Sequence, residues 1–170
     1  MSFLAATTLA GQYRAAPAIA AGVIGGLVFL VIVYMGLGLG MTRMNFLTML
    51  GTMFAPEASS GVVYALGFAV HMMMSAVFGL VDAGILTAIG ATSVGQAAGW
   101  GLALGAAHGA VVLAAMPMIL VAMHPLVRRG ELAAPGVALT GYGSGTPVGS
   151  FMAHVAFGLV AAVVYAAVVL

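Results

Sequence analysis

Long apolar stretches separated by short polar segments run through the whole chain. A helix needs about 20 mostly apolar residues to cross about 30 Å of hydrocarbon. Four segments meet this requirement, at about residues 17–40, 61–85, 94–123 and 147–170. The pattern predicts an all-α fold, a polytopic membrane four-helix bundle that forms one transmembrane domain over residues 1–170. Because the number of spans is even, both termini are expected on the same side.

Short connections join these spans. Residues 45–54 have the apolar periodicity of a short amphipathic helix, which we expect to lie along the membrane interface between the first two spans. Residues 86–93 are predicted to form a tight turn, and residues 124–146 a loop. Ser93, with Gln96 three positions later, predicts a capping box at the start of the third span. None of these connections is long enough for a separate catalytic domain, so function is expected within the bundle or on its partners.

The arginines indicate an orientation. Arg43, Arg128 and Arg129 lie in the first and third connections, whereas Arg14 lies on the opposite side. Cytoplasmic loops carry an excess of positive residues, which favours cytoplasmic first and third connections with both termini outside. Residues 1–16 lack the basic start of a signal peptide, so we expect this segment to be retained.

The composition agrees with a membrane location. Apolar residues make up 64% of the chain and charged residues only 4%, whereas soluble domains carry roughly 25% charged residues. The chain has no basic run and no Cys, which excludes a nucleic-acid binder and a disulfide scaffold. It also lacks an H-E-x-x-H motif, a phosphate loop and paired carboxylates, so we expect no enzyme. The expected partners are the lipid bilayer and other membrane subunits or copies of the same chain.

Glycine rows predict how the helices pack. Lipid tails are as apolar as Leu, so helices in a bilayer associate through close packing and interhelical hydrogen bonds. Small residues recur at four-residue spacing in the first and third spans, and these rows are expected to pack: Gly22/Gly26, Gly36/Gly40, Gly95/Gly99 and Gly101/Gly105/Gly109. Residues 75–81 (SAVFGLV) are also similar to residues 154–160 (HVAFGLV), which is compatible with two related helical hairpins.

Four ionisable residues lie inside the predicted spans, namely His71, Asp82, His108 and His154. Such groups are costly in lipid and usually face the interior of a bundle. Counted from the 86–93 turn, His71 and His108 lie at similar depth and could meet across the hairpin. His154 is expected about two helical turns from His108. Asp82 lies about 22 residues into its span, or about 33 Å at 1.5 Å per residue, which predicts an interfacial position.

Histidine and methionine side chains also form candidate ligand sets. Thioether and imidazole groups suit Cu(I), and the candidate metal ligands are His71, His108, His154, Met74, Met116 and Met118. His71 and His108, as the depth-matched pair, could instead hold a b-type haem between facing helices. The alternatives are interhelical hydrogen bonding for the histidines and the filling of packing gaps for the methionines.

Several short motifs carry a family resemblance. They are residues 67–71 (GFAVH), 78–80 (FGL), 108–109 (HG) followed by 116–118 (MPM), and 49–53 (MLGTM). With these motifs the chain resembles small bacterial four-span membrane proteins, a family of uncharacterised function. The resemblance implies the four-span topology and the bacterial inner (cytoplasmic) membrane. It implies no activity, so it assigns no functional residue.

These observations lead to three functional hypotheses. The first is a non-catalytic accessory or structural subunit of a membrane complex or homo-oligomer, because the chain has no catalytic constellation and has glycines on several helix faces. The second is a protein that binds or translocates copper through His and Met. The third is a b-type haem-binding bundle.

Overall fold

The computed structural model describes residues 8–170, a range that is helical and contains no strand. Residues 1–7, part of the segment expected to be retained, lie outside it. The elements in chain order are α1 (Ala15–Gly38), α2 (Phe46–Phe54), α3 (Ser60–Ile89), α4 (Val94–Met123), α5 (Pro125–Arg128), a 3-10 helix (Val137–Tyr142) and α6 (Thr146–Val169). Four of these helices, α1, α3, α4 and α6, are long and apolar enough to cross a membrane. The predicted four-helix membrane bundle is therefore confirmed, although α3 continues beyond its predicted end near residue 85.

The short helix predicted between the first two spans is confirmed as α2, whereas its position along the membrane interface stays a prediction. Asn45 caps it, because its side chain accepts a hydrogen bond from the backbone N–H three residues later at 3.1 Å. α2 runs antiparallel to the first half of α3, with Leu47 beside Gly67 and Gly51 beside Val63. Because the two glycines have no side chains, the backbones touch and α2 is held against the bundle.

The segment predicted as a loop at 124–146 contains two short helical elements instead. α5 begins at Pro125, whose fixed φ suits the first turn of a helix. The 3-10 helix packs against α4 and α6. The Arg43 N–H donates to Tyr142 O at 2.6 Å, which ties the first connection to the third. This prediction was wrong because a stretch rich in Gly lacks the apolar periodicity that indicates a helix.

A tight turn joins α3 to α4, as predicted. Gly90 ends α3 in the left-handed conformation, with φ 71° and ψ 43°. The Ala91 N–H donates back to Leu86 O at 3.3 Å, as in a Schellman motif. The Ser93 hydroxyl then caps α4 by accepting a hydrogen bond from the Gln96 N–H at 3.1 Å. The predicted cap of the third span is thus confirmed.

Close backbone contacts hold the long helices in the order α3, α1, α6, α4. In the α1–α3 seam, a Cβ atom added to Gly79 would lie 2.6 Å from Gly22 Cα. In the α4–α6 seam, a Cβ atom added to Gly158 would lie 2.8 Å from Gly105 Cα. These approaches leave no room for a side chain, so the glycine rows there pack as predicted. The predicted rows that face open space instead are Gly36, Gly40, Gly95 and Gly99.

The buried positions of the bundle follow an internal repeat of 79 residues. Each of the seven buried residues of α3 has a buried counterpart 79 positions later: Val63/Tyr142, Gly67/Thr146, His71/Ser150, Ser75/His154, Gly79/Gly158, Ala83/Ala162 and Leu86/Tyr165. The same spacing relates buried residues of α1 to buried residues of α4: Ala18/Ala97, Gly22/Gly101 and Gly26/Gly105. The similarity of residues 75–81 to 154–160 is part of this longer repeat. The α1–α3 pair and the α4–α6 pair are therefore equivalent units.

One seam of the bundle breaks the repeat. α1 and α6 pack extensively, whereas the equivalent pair, α4 and α3, makes few contacts although a tight turn joins the two helices. In the α1–α6 seam, a Cβ atom added to Gly25 would lie 3.0 Å from the Phe157 ring. The corresponding residues of α4 and α3 are Leu104 and Phe78. Because a leucine excludes an equally close approach, a gap opens between α3 and α4.

Candidate functional site

A cavity of about 280 Å³ lies inside the bundle, with walls from the four long helices, α2 and the 3-10 helix. The described residues that line it are mostly apolar and include no Asp, Glu, Lys or Arg. Wall residues that also reach the outer surface include Phe54 of α2, Met74 of α3 and Ile119 of α4. Because Met74 and Ile119 flank the loosely packed α3–α4 seam, we infer that the cavity opens at this gap.

Eight aromatic and imidazole rings line this cavity. Six of them form what we call the histidine cluster: Phe29, Phe46, His71, Phe78, His108 and His154. The centroid of the Phe29 ring lies 5.1 Å from that of His71 and 4.9 Å from that of His154. The Phe46 and His71 centroids are 5.2 Å apart. The cluster thus joins residues from α1, α2, α3, α4 and α6 through direct ring contacts.

Two of these histidines are fixed by hydrogen bonds to backbone carbonyls. His71 Nε2 donates to Gly26 O of α1 at 3.0 Å, and His154 Nδ1 donates to Ser150 O of α6 at 2.7 Å. The Ser75 hydroxyl donates to His71 O at 2.8 Å. Ser75 and His154 occupy equivalent positions in the repeat. The carbonyl groups of His71 in α3 and Ser150 in α6 are equivalent in the repeat. Each accepts a hydrogen bond from the side chain four residues later.

The structure corrects the predicted distances between the histidines. The sequence puts His154 about two helical turns from His108, but the two rings are in edge-to-face contact with centroids 4.7 Å apart. The close approach of α4 to α6 causes this contact, because a Cβ atom added to Gly109 would lie 3.1 Å from His154 Cβ. His71 and His108 do not pair across the α3–α4 hairpin among the described ring contacts. His108 instead packs on Phe78, at 4.0 Å between centroids.

The predicted metal ligands are only partly brought together. Met118 lies outside the cavity, with 73% of its surface exposed. The other predicted ligands line the cavity: His71, His108, His154, Met74 and Met116. Within residues 8–170, no three side chains of His, Cys, Asp or Glu are placed to hold a metal ion. Four methionines that the sequence did not single out as ligands share the cavity wall: Met41, Met44, Met49 and Met53.

His124, which was not predicted as a site residue, is fully buried at the end of α4. Its Nε2 atom lies 3.1 Å from Met49 O and 3.3 Å from Thr52 Oγ1, and so donates to the backbone of α2. His124 Nδ1 and the Tyr142 hydroxyl are buried without a hydrogen-bond partner among the described residues. Burial also raises the pKa of Tyr142 above its usual value. His124 thus fixes α2 as a wall of the cavity without lining the cavity itself.

Asp82 is separate from the histidine cluster. It lies half-buried on α3, seven residues before the end of the helix at Ile89, which is about 10 Å along the helix axis. It does not line the cavity, and it makes no ion pair within the described part of the chain. Its interfacial position stays a prediction.

No protein-family model, no curated protein and no solved structure matches this chain. The resemblance to small bacterial four-span membrane proteins therefore stays a prediction. The cavity and the histidine cluster are the features from which a function can be proposed.

Proposed function

We propose that this chain is a membrane-embedded binding protein that holds a lipophilic small molecule in its central cavity. The observation that carries the proposal is the cavity of about 280 Å³, apolar and open between α3 and α4. An engineered apolar cavity of about 150 Å³ accommodates benzene. The larger volume here suits a substituted ring or a ring with part of an alkyl chain. A ligand dissolved in the bilayer can enter through the gap without crossing water.

The wall has the composition of a small-molecule site. Such sites combine mostly apolar walls with a few polar groups that orient the ligand. Six methionines line the cavity and are flexible enough to adapt to a ligand: Met41, Met44, Met49, Met53, Met74 and Met116. The polar groups are the imidazoles of the histidine cluster and four hydroxyl side chains.

A pair of tryptophan substitutions on α4 tests the proposal. Met116 lines the cavity, whereas Met118, two residues later, lies outside it and is 73% exposed. Met116→Trp should fill the cavity and abolish saturable binding of radiolabelled 4-nonylphenol or 4-nonylanisole to protein in nanodiscs. Met118→Trp should leave that binding unchanged. The signal from empty nanodiscs is subtracted in each case. The absence of saturable binding of both compounds to the unaltered protein would contradict the proposal.

Copper binding is a second candidate function, supported by the six methionines and three histidines that line one cavity. His71 and His154 each donate one ring N–H to a backbone carbonyl, as metal-bound histidines commonly do. Thioethers would have to supply part of the ligand set and would favour Cu(I). Copper content after purification under reducing conditions should then fall in a Met74→Leu/Met116→Leu variant and stay unchanged in Met118→Leu. Equal, sub-stoichiometric copper in all three proteins would exclude this function.

The haem alternative has less support. A b-type haem needs a slot between two facing imidazoles. The His71 ring packs against Phe29 and Phe46, and the His108 ring packs against Phe78 and His154. Each imidazole of the predicted pair therefore has other rings packed against it, which restricts the room for a porphyrin plane beside it. A Soret band in freshly purified protein would be the finding in favour of haem.

The role of accessory subunit or homo-oligomer in a bacterial inner membrane stays a further proposal. Its support is the outward face of α4, where Gly95 and Gly99 meet open space and a second helix could approach closely. A detergent-corrected mass measurement tests it. A strict monomer that purifies without another subunit would contradict this role, and it would leave the ligand-binding proposal untouched.

A further inference from the structure

The hydrogen bonds of His71 and His154 determine what the cavity offers to a ligand. A backbone carbonyl can only accept, so the bonds at 3.0 and 2.7 Å use the Nε2–H of His71 and the Nδ1–H of His154. A neutral imidazole has one N–H group and one acceptor nitrogen. His71 Nδ1 and His154 Nε2 are therefore acceptors.

Both acceptor nitrogens lack a hydrogen-bond partner within the described range. In the part of the chain that the structure describes, the polar side-chain atoms that are buried and unpaired belong to His124 and Tyr142. The acceptor nitrogens of His71 and His154 have no partner there either, and so they keep accessible surface on the cavity wall. No charged side chain of the described wall would stabilise an imidazolium, so a ligand meets the neutral, accepting form.

Most hydroxyl donors of the wall are already used. The described wall has four hydroxyl side chains, on Thr42, Ser75, Thr146 and Ser150. Ser75 donates to a backbone carbonyl at 2.8 Å, Thr146 to Thr42 Oγ1 at 2.8 Å, and Thr42 to Tyr142 O at 3.5 Å. The Ser150 hydroxyl and the single N–H of a neutral His108 also line the cavity and have no hydrogen-bond partner among the described residues. A ligand that only accepts hydrogen bonds could use these two donors, but it would leave the acceptor nitrogens of His71 and His154 unpaired. A ligand that brings its own donor satisfies them.

We propose that the ligand is a lipophilic phenol whose hydroxyl donates to the acceptor nitrogen of His71 or His154, an inference that rests on the proposed function. The phenolic ring suits the wall because Phe29 contacts the rings of both histidines, Phe46 contacts that of His71, and aromatic rings pack favourably on one another. The apolar substituent of the phenol then extends through the α3–α4 gap into the lipid.

A matched pair of probes tests this inference on the unaltered protein. 4-Nonylphenol and 4-nonylanisole have nearly the same shape and apolar surface, but methylation removes the only donor from the anisole. Saturable binding of each is measured in nanodiscs by displacement of the radiolabelled phenol. One hydrogen bond to an otherwise unpaired buried nitrogen should make the phenol bind about tenfold more tightly than the anisole.

The outcomes separate this inference from the proposed function. Equal affinity of the two probes would overturn the donor requirement and leave the lipophile cavity standing, whereas binding of neither would overturn both. Substitution of the histidines tests the donor requirement independently, since His71→Phe and His154→Phe keep a ring but remove the acceptor nitrogen. At least one of them should reduce phenol affinity to that of the anisole while anisole affinity stays unchanged. A phenol preference that survives in both single variants and in the double variant would also overturn the inference.

Discussion

The His108 ring of α4 lies edge-on to the His154 ring of α6, with centroids 4.7 Å apart and 71° between the ring planes. The same His108 ring also packs on Phe78 of α3, at 4.0 Å between centroids. His108 is therefore a side chain that bridges α3 and α4, where the two helices otherwise make few contacts. Its ring has a packing role that can be tested apart from any ligand.

We expect His108→Phe to keep the fold, because the equivalent position of the repeat is occupied by Phe29, which also contacts His154. His108→Ala removes both ring contacts and should lower the free energy of unfolding by about 1–3 kcal/mol. Unfolding in mixed micelles, followed by circular dichroism, measures both variants. Equal loss of stability in the two variants would show that the imidazole does more than pack.

Substitution of Gly79, which contacts Gly22, should lower the free energy of unfolding more than substitution of an exposed glycine. A Cβ atom added to Gly79 would lie 2.6 Å from Gly22 Cα, so Gly79→Ala must push α3 away from α1. We expect a loss of about 1–3 kcal/mol in the free energy of unfolding. Gly99→Ala is the matched control, because nothing lies within 4 Å of a Cβ atom at that position. If the two variants unfold alike, the seam is not held by close backbone packing.

Tyr165 ties residues near the start of α1 to α6. Its hydroxyl accepts from the Arg14 N–H at 3.1 Å and donates to Gln12 O at 3.3 Å. Tyr165→Phe should therefore speed amide hydrogen exchange of residues 9–14 and cost about 1 kcal/mol of stability. Tyr13→Phe serves as the control, since Tyr13 is 47% exposed. Unchanged exchange in Tyr165→Phe would mean that these bonds do not hold the segment.

The four spans could be predicted from the sequence because their length and apolarity are local properties. The same holds for the turn before α4, because the Ser93 side chain caps the helix by a hydrogen bond to Gln96, only three residues later. The helical elements of the third connection could not, because α5 and the 3-10 helix depend on contacts with distant parts of the chain.

The candidate site was predictable in its residue types and not in its geometry. Ionisable residues in lipid-spanning segments usually face the interior, and His71, His108 and His154 all line the cavity. Their mutual distances depend on where α6 passes α4, and the glycine contacts that decide this are between residues far apart in the chain. The contribution of α2 to the cavity wall could likewise not be predicted from the sequence. It depends on Gly51 and Gly67, whose lack of a side chain lets the backbones of α2 and α3 come into contact.

The orientation predicted from the arginines can be tested with single cysteines, since the chain has none. The first and third connections share one face, because Arg129 forms an ion pair with Glu57 at 2.7 Å. The hydrogen bond that Arg129 donates to the Glu57 carboxylate, together with the nearby carboxylate of Glu131, raises the pKa of Arg129, so its positive charge persists at any physiological pH.

In intact cells, an impermeant maleimide should therefore label Thr92→Cys in the α3–α4 turn and spare Ser144→Cys in the third connection, both of which are exposed positions. Both should react after the membrane is permeabilised, which shows that each thiol is accessible. The reverse labelling pattern would place the first and third connections outside.

Asp82 should tolerate the loss of its charge. The 30 residues of α3 span about 45 Å, longer than the roughly 30 Å hydrocarbon core, so both ends of the helix extend toward the headgroups. Asp82 lies near one of these ends and makes no ion pair in the described range, so an ionised carboxylate there relies on water. Asp82→Asn should then change the unfolding midpoint by less than about 2 °C, as expected for a surface substitution within about 0.5 kcal/mol.

Ala83→Asn is the contrasting variant, because Ala83 is 1% exposed and an amide there should cost about 2 kcal/mol or more. Loss of the folded protein in Asp82→Asn would instead place Asp82 in the bundle interior.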